Sequence, residues 1–278
     1  MSEEIDQTVG GDHDTWILFN RETVDGYPLV VLARTGNPMV DVGLRNANVT
    51  VIHCEASASI VNEWGMPQGS DLLYPVEEEL ARELQSAQIG ALHIASITGD
   101  RERRIVFVHD GPLDFQPLLR SFDVEGYSMR ASNDEDRDLL RSQVIPSPLD
   151  LQLNGDREVI SNIEKHGDDG TEPRNTEFWF YGDKTGLDFV ITDLEHWDVF
   201  IERRLTDPEG VVLSCNTSVN FETFSKLTPV LVGVAEKRGV TYDGWETLVL
   251  KPGGVPDLPS VPKKSISLLS RIFGGRQN

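Results

Sequence analysis

The sequence predicts an α+β protein of two domains, at 14–148 and 153–250. Three observations carry this. The chain has 278 residues, and roughly 150 per domain is usual. Short apolar runs of strand length are joined by turn words such as Asp25-Gly26 and Asp207-Pro208-Glu209-Gly210, the mark of antiparallel pairing. Between them lie stretches with apolar residues every three or four positions, the period of a helix with one buried face.

Residues 1–13 are polar and acidic and read as a mobile leader. Trp16–Arg21 and Leu29–Arg34 flank Asp25-Gly26 as a hairpin, and Asn48–Glu55 is a third strand. Over Ser70–Leu84, Leu72, Leu73, Val76, Leu80 and Leu84 form a helical stripe. Glu77, Glu78, Glu79 and Glu83 lie mainly opposite it, and Pro75 fits the first turn. Ala91–Ile97 and Ile105–His109 form a second hairpin around Gly99–Arg103. Pro112–Phe122 is a short helix, Tyr127–Ala131 a strand, and Leu139–Val144 a helical turn. Ser147-Pro148 closes the domain, whose order is β-β-β-α-β-β-α-β.

The second domain opens with a helix at Asp156–His166, stopped by Gly167. Glu177–Tyr181 is an aromatic strand, with Phe178 and Phe180 on one face and Glu177, Trp179 and Tyr181 on the other. Lys184–Trp197 is an amphipathic helix, and Val199–Leu205 and Val211–Ser218 form a hairpin. Phe221–Lys237 is helical, with Pro229 either kinking it or marking its true start behind a Thr228 cap. Gly239 ends it, and Tyr242–Leu250 is the last strand. After the extra N-terminal helix the order is β-α-β-β-α-β, a split βαβ or ferredoxin-like pattern. It implies an antiparallel sheet with helices on one face. Residues 251–278 form a Pro/Gly linker followed by a basic tail, in which Ile266, Leu269, Ile272 and Phe273 recur at helical spacing.

Charge narrows the function. The chain has 46 acidic and 25 basic residues, a net −21. A nucleic-acid groove needs clustered Lys and Arg, so direct nucleic-acid binding is not expected. The acidity is uneven: residues 151–250 hold 19 acidic and 9 basic groups, whereas 251–278 hold 1 and 5, a net +4. No run of about 18 apolar residues is present, so no membrane span is expected. The N-terminus lacks the basic and apolar regions of a secretory signal, and Cys54 and Cys215 read as buried core thiols. A bacterial-type cytoplasmic setting follows as the expectation.

Tyr242-Asp243-Gly244-Trp245-Glu246-Thr247 follows a Gly-ended helix containing Leu231, Ala235 and Glu236, and Glu177-Phe178-Trp179-Phe180 sits between two helices. On these residues, 153–250 resembles the bacterial regulator of ribonuclease E activity B family. The resemblance implies a non-catalytic modulator or inhibitor of that nuclease, with no catalytic residues to carry over. The family's inhibitor is a short, strongly acidic protein; this chain adds a domain and a basic tail. The region with Trp16 and the Gly26-Tyr27-Pro28 turn resembles a domain of unknown function sometimes fused to that family.

The residues offer few chemical alternatives. Asp243-Gly244 reads as a turn into the last strand, with Trp245 filling the core or stacking under a helix. Tyr242, Asp243, Trp245, Trp179 and Glu177 are the candidate partner-binding residues. Asp134, Glu135, Asp136 and Asp138, like Asp168, Asp169 and Glu172, lack calcium-loop spacing and read as solvated loops. His53, Cys54, Glu55, His93 and His109 lack paired zinc spacing, so neither a metal nor a cofactor is expected. Gly182-Asp183-Lys184-Thr185 lacks the upstream glycine of a phosphate loop, because that position is Phe178. The leading expectation is a regulator that binds a basic protein surface, ribonuclease E being the concrete candidate. A hydrolase or small-ligand enzyme using a cleft between the domains is the alternative. A structural or assembly module is the third reading.

Overall fold

The computed structural model describes residues 15–36, 40, 48–86, 90–111 and 113–250. The leader and the segment 251–278 lie outside the described residues. The chain divides into two compact units, Met1–Pro146 and Ser147–Asn278.

The first unit is built on six strands: β1 (Thr15–Glu22), β2 (Pro28–Thr35), β3 (Asn48–Ala56), β4 (Ala91–Gly99), β5 (Glu102–His109) and β6 (Tyr127–Asn133). All pairs are antiparallel, in the order β1-β2-β4-β5-β3-β6. The β4–β5 loop has two residues, Asp100 and Arg101, both at positive φ (50° and 66°), as a tight hairpin matched to strand twist requires. Helix α1 (Tyr74–Ser86) seats Val76, Leu80 and Leu84, with Leu73 just ahead of it, against Ile52, Cys54, Ile105 and Phe107. The turn Leu140–Val144 lies against β2, and its Leu140 and Val144 are buried.

Two expectations are corrected in this unit. Glu77 is not on the solvent face of α1. It is 9% exposed and accepts hydrogen bonds from Arg103 Nε (2.6 Å) and Ser96 Oγ (2.9 Å). A buried carboxylate needs such partners, and α1 reaches β4 and β5 through this one. The helix expected over Pro112–Phe122 is a single turn, α2 (Gln116–Leu119), opened by the Asp114 carboxylate accepting from Gln116 N. Phe115 and Leu119 anchor it in the core, and Arg120 ends it.

The second unit comprises α3 (Pro148–Lys165), β7 (Arg174–Tyr181), α4 (Lys184–Leu194), β8 (Phe200–Thr206), β9 (Glu209–Thr217), α5 (Phe221–Arg238) and β10 (Thr241–Thr247). Its sheet is antiparallel throughout, in the order β10-β7-β9-β8. Phe178, Phe180, Val211 and Leu213 meet Leu187, Val190, Phe224 and Leu231 from the helices. Each buried phenylalanine removes on the order of 200 Å² from water, about 5 kcal/mol as an upper bound. The loop after α3 is held by a buried ion pair: Asp168 accepts from both terminal nitrogens of Arg174, and also from Gly170 N and Leu250 N. These bonds hold the Asp168 carboxyl down at about 2, with Arg174 the largest cause. Asp168 is thus buried rather than solvated as expected.

Two helix starts also differ from expectation. α3 begins at Pro148, not Asp156. Ser147 and Asp150 form a reciprocal capping box, and Pro148 takes the first helical position, so the pair read as a terminator is an initiator. α5 runs unbroken from Phe221, capped by Asn220, with Pro229 inside it. Thr228 is no cap; it is buried and its hydroxyl donates to Asp156 Oδ2 (2.6 Å). Among the described residues no helix is long and apolar enough to cross a membrane.

Candidate functional site

The alternation along β7 sorts the second sheet into two faces. Arg174, Thr176, Phe178 and Phe180 are buried, whereas Glu177, Trp179 and Tyr181 are partly exposed. On the face away from the helices, one row across the sheet reads Gly244, Trp179, Val212, Arg203, and the next reads Glu246, Glu177, Ser214, Phe200. The Arg203 guanidinium lies 4.7 Å from the Trp179 ring centre. It pairs with Glu177 Oε2 at 2.9 Å and approaches Glu246 Oε1 at 3.8 Å. Two carboxylates share one cation here, so the cluster keeps excess negative charge. Burial, and then the neighbouring Glu177 charge, push the Glu246 carboxyl above the usual range. Burial also raises the Tyr181 phenol, aided by Asp243 and Glu246.

The residues 242–245 have a different task. β10 shifts register between Tyr242 and Gly244, which makes Asp243 the extra residue of a bulge inside the strand. It is therefore not the turn ahead of the strand that the sequence predicts. In a regular strand, residues three apart face opposite sides. The bulge lets Tyr242 and Trp245 both face the helices. Tyr242 is 4% exposed with its ring 5.1 Å from that of Phe180. Its hydroxyl has no hydrogen-bond partner among the described residues. Trp245 stacks on Phe224 of α5 at 4.2 Å and donates its indole N–H to Asp156 Oδ1 at 2.7 Å. Gly244 sits at φ 111°, where a side chain is strained, and Gln152 Nε2 of α3 holds the bulge by donating to Tyr242 O at 3.0 Å. Asp156 therefore ties α3, α5 and β10 together, and burial pushes its carboxyl up to about 6 despite those two bonds. Of the sequence-predicted residues, Glu177 and Trp179 stand on the face away from the helices, while Tyr242 and Trp245 belong to the packing. Arg203 and Glu246, which complete the cluster, were missed. Their signal was strand alternation, but the pairing that brings them to Glu177 is a tertiary fact.

On the helix side of the same unit a groove of about 370 Å³ opens between the end of α4 and the first half of α5. Leu194, Trp197, Leu227 and Leu231 wall it, over Phe178 and Cys215. Asp198, Glu222 and Lys226 also line it, and Lys226 is paired to Glu222 at 3.0 Å. Trp197 is 47% exposed and Ile201 of β8, on the same side, 50%, whereas Phe200 is exposed on the opposite face. Cys215 is half-buried rather than a core thiol, and both cysteines are free.

The histidines of the first unit are satisfied separately. His93 Nε2 donates to Ala95 O at 3.0 Å, and burial holds its ring below the usual histidine range. His109 pairs with Thr50 at 2.9 Å beside a cavity of about 490 Å³ lined also by Gln116 and Asn133. His53 is bonded through Nδ1 to Glu102 (2.8 Å) and through Nε2 to Ser132 Oγ (2.9 Å). Glu102 is shared with Arg104 at 3.2 Å. Cys54 is no nucleophile: burial pushes its thiol up to about 12. Among the described residues, no group of three His, Cys, Asp or Glu side chains is placed to hold a metal ion.

No curated protein matches the chain. Residues 154–247 do match the family model described as RraB, Regulator of ribonuclease activity B, so the second unit carries an RraB-like domain over about a third of the chain.

Proposed function

We propose that the chain is a non-catalytic, cytoplasmic regulator of ribonuclease E-type RNA processing that works by binding a protein. The contact surface in this reading is the face of the second sheet that carries Trp179, Arg203, Glu177 and Glu246. That cluster is the observation behind it: an aromatic anchor beside two carboxylates that share a single cation. Such a surface suits an Arg- and Lys-rich segment, which can stack on the indole and neutralise the surplus charge. Occupying the nuclease's cationic segments would compete with RNA for them. The strand order β10-β7-β9-β8 within a β-α-β-β-α-β succession supports a ferredoxin-like assignment for this domain. The test is association of the full chain with ribonuclease E, measured at low and high salt. We expect the association rate to fall as salt rises, and to fall further in Glu177→Gln and Glu246→Gln. Binding that is absent, or indifferent to both salt and substitution, overturns the proposal.

One observation favours a second reading. Ser132, His53 and Glu102 are bonded in the order nucleophile, base and acid used in acyl transfer. A fluorophosphonate that labels Ser132, and fails to do so in His53→Ala, would support hydrolysis by the first unit. An unlabelled serine rejects it.

A further inference from the structure

The groove beside Trp197 and the sequence of the basic segment beyond Leu250 match in apolar pattern, charge and point of attachment. Three facts carry the match. First, Phe178, Leu194, Trp197, Leu227 and Leu231 give the groove an apolar floor and two apolar walls, and Ile201, which pairs with buried Leu213, is exposed on the same side of the sheet. Residues 265–273 present Ile266, Leu269, Ile272 and Phe273 at the spacing of one helix face, which fits a groove between two helices. Second, residues 251–278 carry a net +4, while 151–250 carry a net −10. Asp198, Glu222 and Lys226 line the groove and leave it one net negative charge, and Lys263, Lys264 and Arg271 accompany the apolar stripe. Third, the chain leaves the second unit at the end where the groove opens. Leu250 N is bonded to Asp168, whose neighbour Gly170 accepts from Val219 N, two residues beyond the groove-lining Thr217. Arg174 pairs with Thr217 across β7 and β9, and donates to Leu248 O.

We propose that this groove is the seat of the chain's own residues 265–273, docked in cis. Reach does not limit it. Residues 251–264 include four prolines, and a Pro-rich linker spans about 3 Å per residue, so about 40 Å is available. From β10 to the β9 side of the groove is only two strand spacings, on the order of 10 Å. Tethering also makes a weak contact sufficient. At a roughly millimolar effective concentration, a segment that binds in trans at about 0.1 mM is closed about ten times as often as it is open. Docking of this kind covers Trp197 and Cys215 and sets part of the basic tail against acidic residues of the same unit. A competing partner would have to displace it.

Cys215 supplies the reporter, because it lines the groove while Cys54 is wholly buried. The experiment measures the rate at which a small maleimide modifies Cys215, located by peptide mapping. It compares the full chain with a full-chain double variant, Leu269→Asp and Ile272→Asp, which alters none of the described residues. We expect modification about tenfold faster in the variant, matching the closed-to-open ratio above. A synthetic peptide of residues 263–278, added to the variant, restores protection. Equal rates in the two proteins overturn the proposal, including the case where the tail instead carries the chain onto anionic vesicles. Protection that rises with protein concentration overturns docking in cis and assigns the groove to a second copy.

Discussion

β5 and β7 are central strands of the two sheets, and they are buried in different ways. β5 is buried without a break from Arg103 to His109, because both faces of the six-stranded sheet are covered at its centre. β7 alternates, buried on the helix side and partly exposed on the other. The same polar residue types then meet opposite circumstances. Arg103 in β5 is enclosed with Glu77, Ser96 and Thr98, and its Nε and Nη1 donate to Glu77 and Thr98. Arg203, on the outward face of the second sheet, is shared between two carboxylates and lies on an indole, with charge left over. Enclosed polar groups hold a fold together, whereas unevenly matched ones at a surface are available to something else.

Four substitutions test this contrast. The largest effect belongs to the enclosed pair. Glu77→Ala strands a buried guanidinium and is expected to destabilise the first unit by about 3–5 kcal/mol, read by chemical denaturation. A loss below about 1 kcal/mol would mean that the pair is open to water, and the contrast fails. Next is Asp156, whose raised pKa makes its charge a burden on the folded state. Its folded value of about 6, against an ordinary 3.8, means that the folded state binds the extra proton. Stability from this group therefore rises as pH falls from 6 to 4, by up to about 3 kcal/mol. Asp156→Asn can keep both bonds without the charge, so at pH 7 it is expected to unfold at higher denaturant and to lose that pH dependence. Asp168 has the opposite sign. Its carboxyl at about 2 adds about 2 kcal/mol that is fully present above pH 4 and is lost as pH falls toward 2. Asp168→Asn removes that acid limb from the stability profile. The smallest effect is at the surface: Glu246→Gln is expected to change stability by less than about 0.5 kcal/mol while weakening a basic partner. A larger loss of stability would make the outward cluster a structural one.

How far the sequence carries this description depends on whether each signal is local. Hairpins at Asp25-Gly26 and after Thr206, and helix stops at Gly167 and Gly239, are written in residues that act on their own neighbours. Glu77 is misread because three glutamates in a row look equally solvated until a strand brings Arg103 to one of them. Ser147-Pro148 reads as an ending or a beginning, and Asp150 decides between them by closing the capping box. The role of 242–245 was half legible. Burial of Trp245 follows from its size, but its agreement with Tyr242 depends on one additional backbone position. At the candidate site, Glu177 and Trp179 were visible from alternation alone. Arg203 and Glu246 come from strands 26 and 69 positions away from Glu177, and only sheet register joins them.

The irregularity at Asp243 has a counterpart at the opposite margin. β8 also shifts register, between Ile201 and Arg203, so both outer strands of the four-stranded sheet are distorted. A foreign strand seeking to extend that sheet finds no straight run of amides and carbonyls to zip onto at either rim. Growth into fibrils or ribbons of stacked copies is thereby discouraged, and visitors are directed toward side chains rather than backbone.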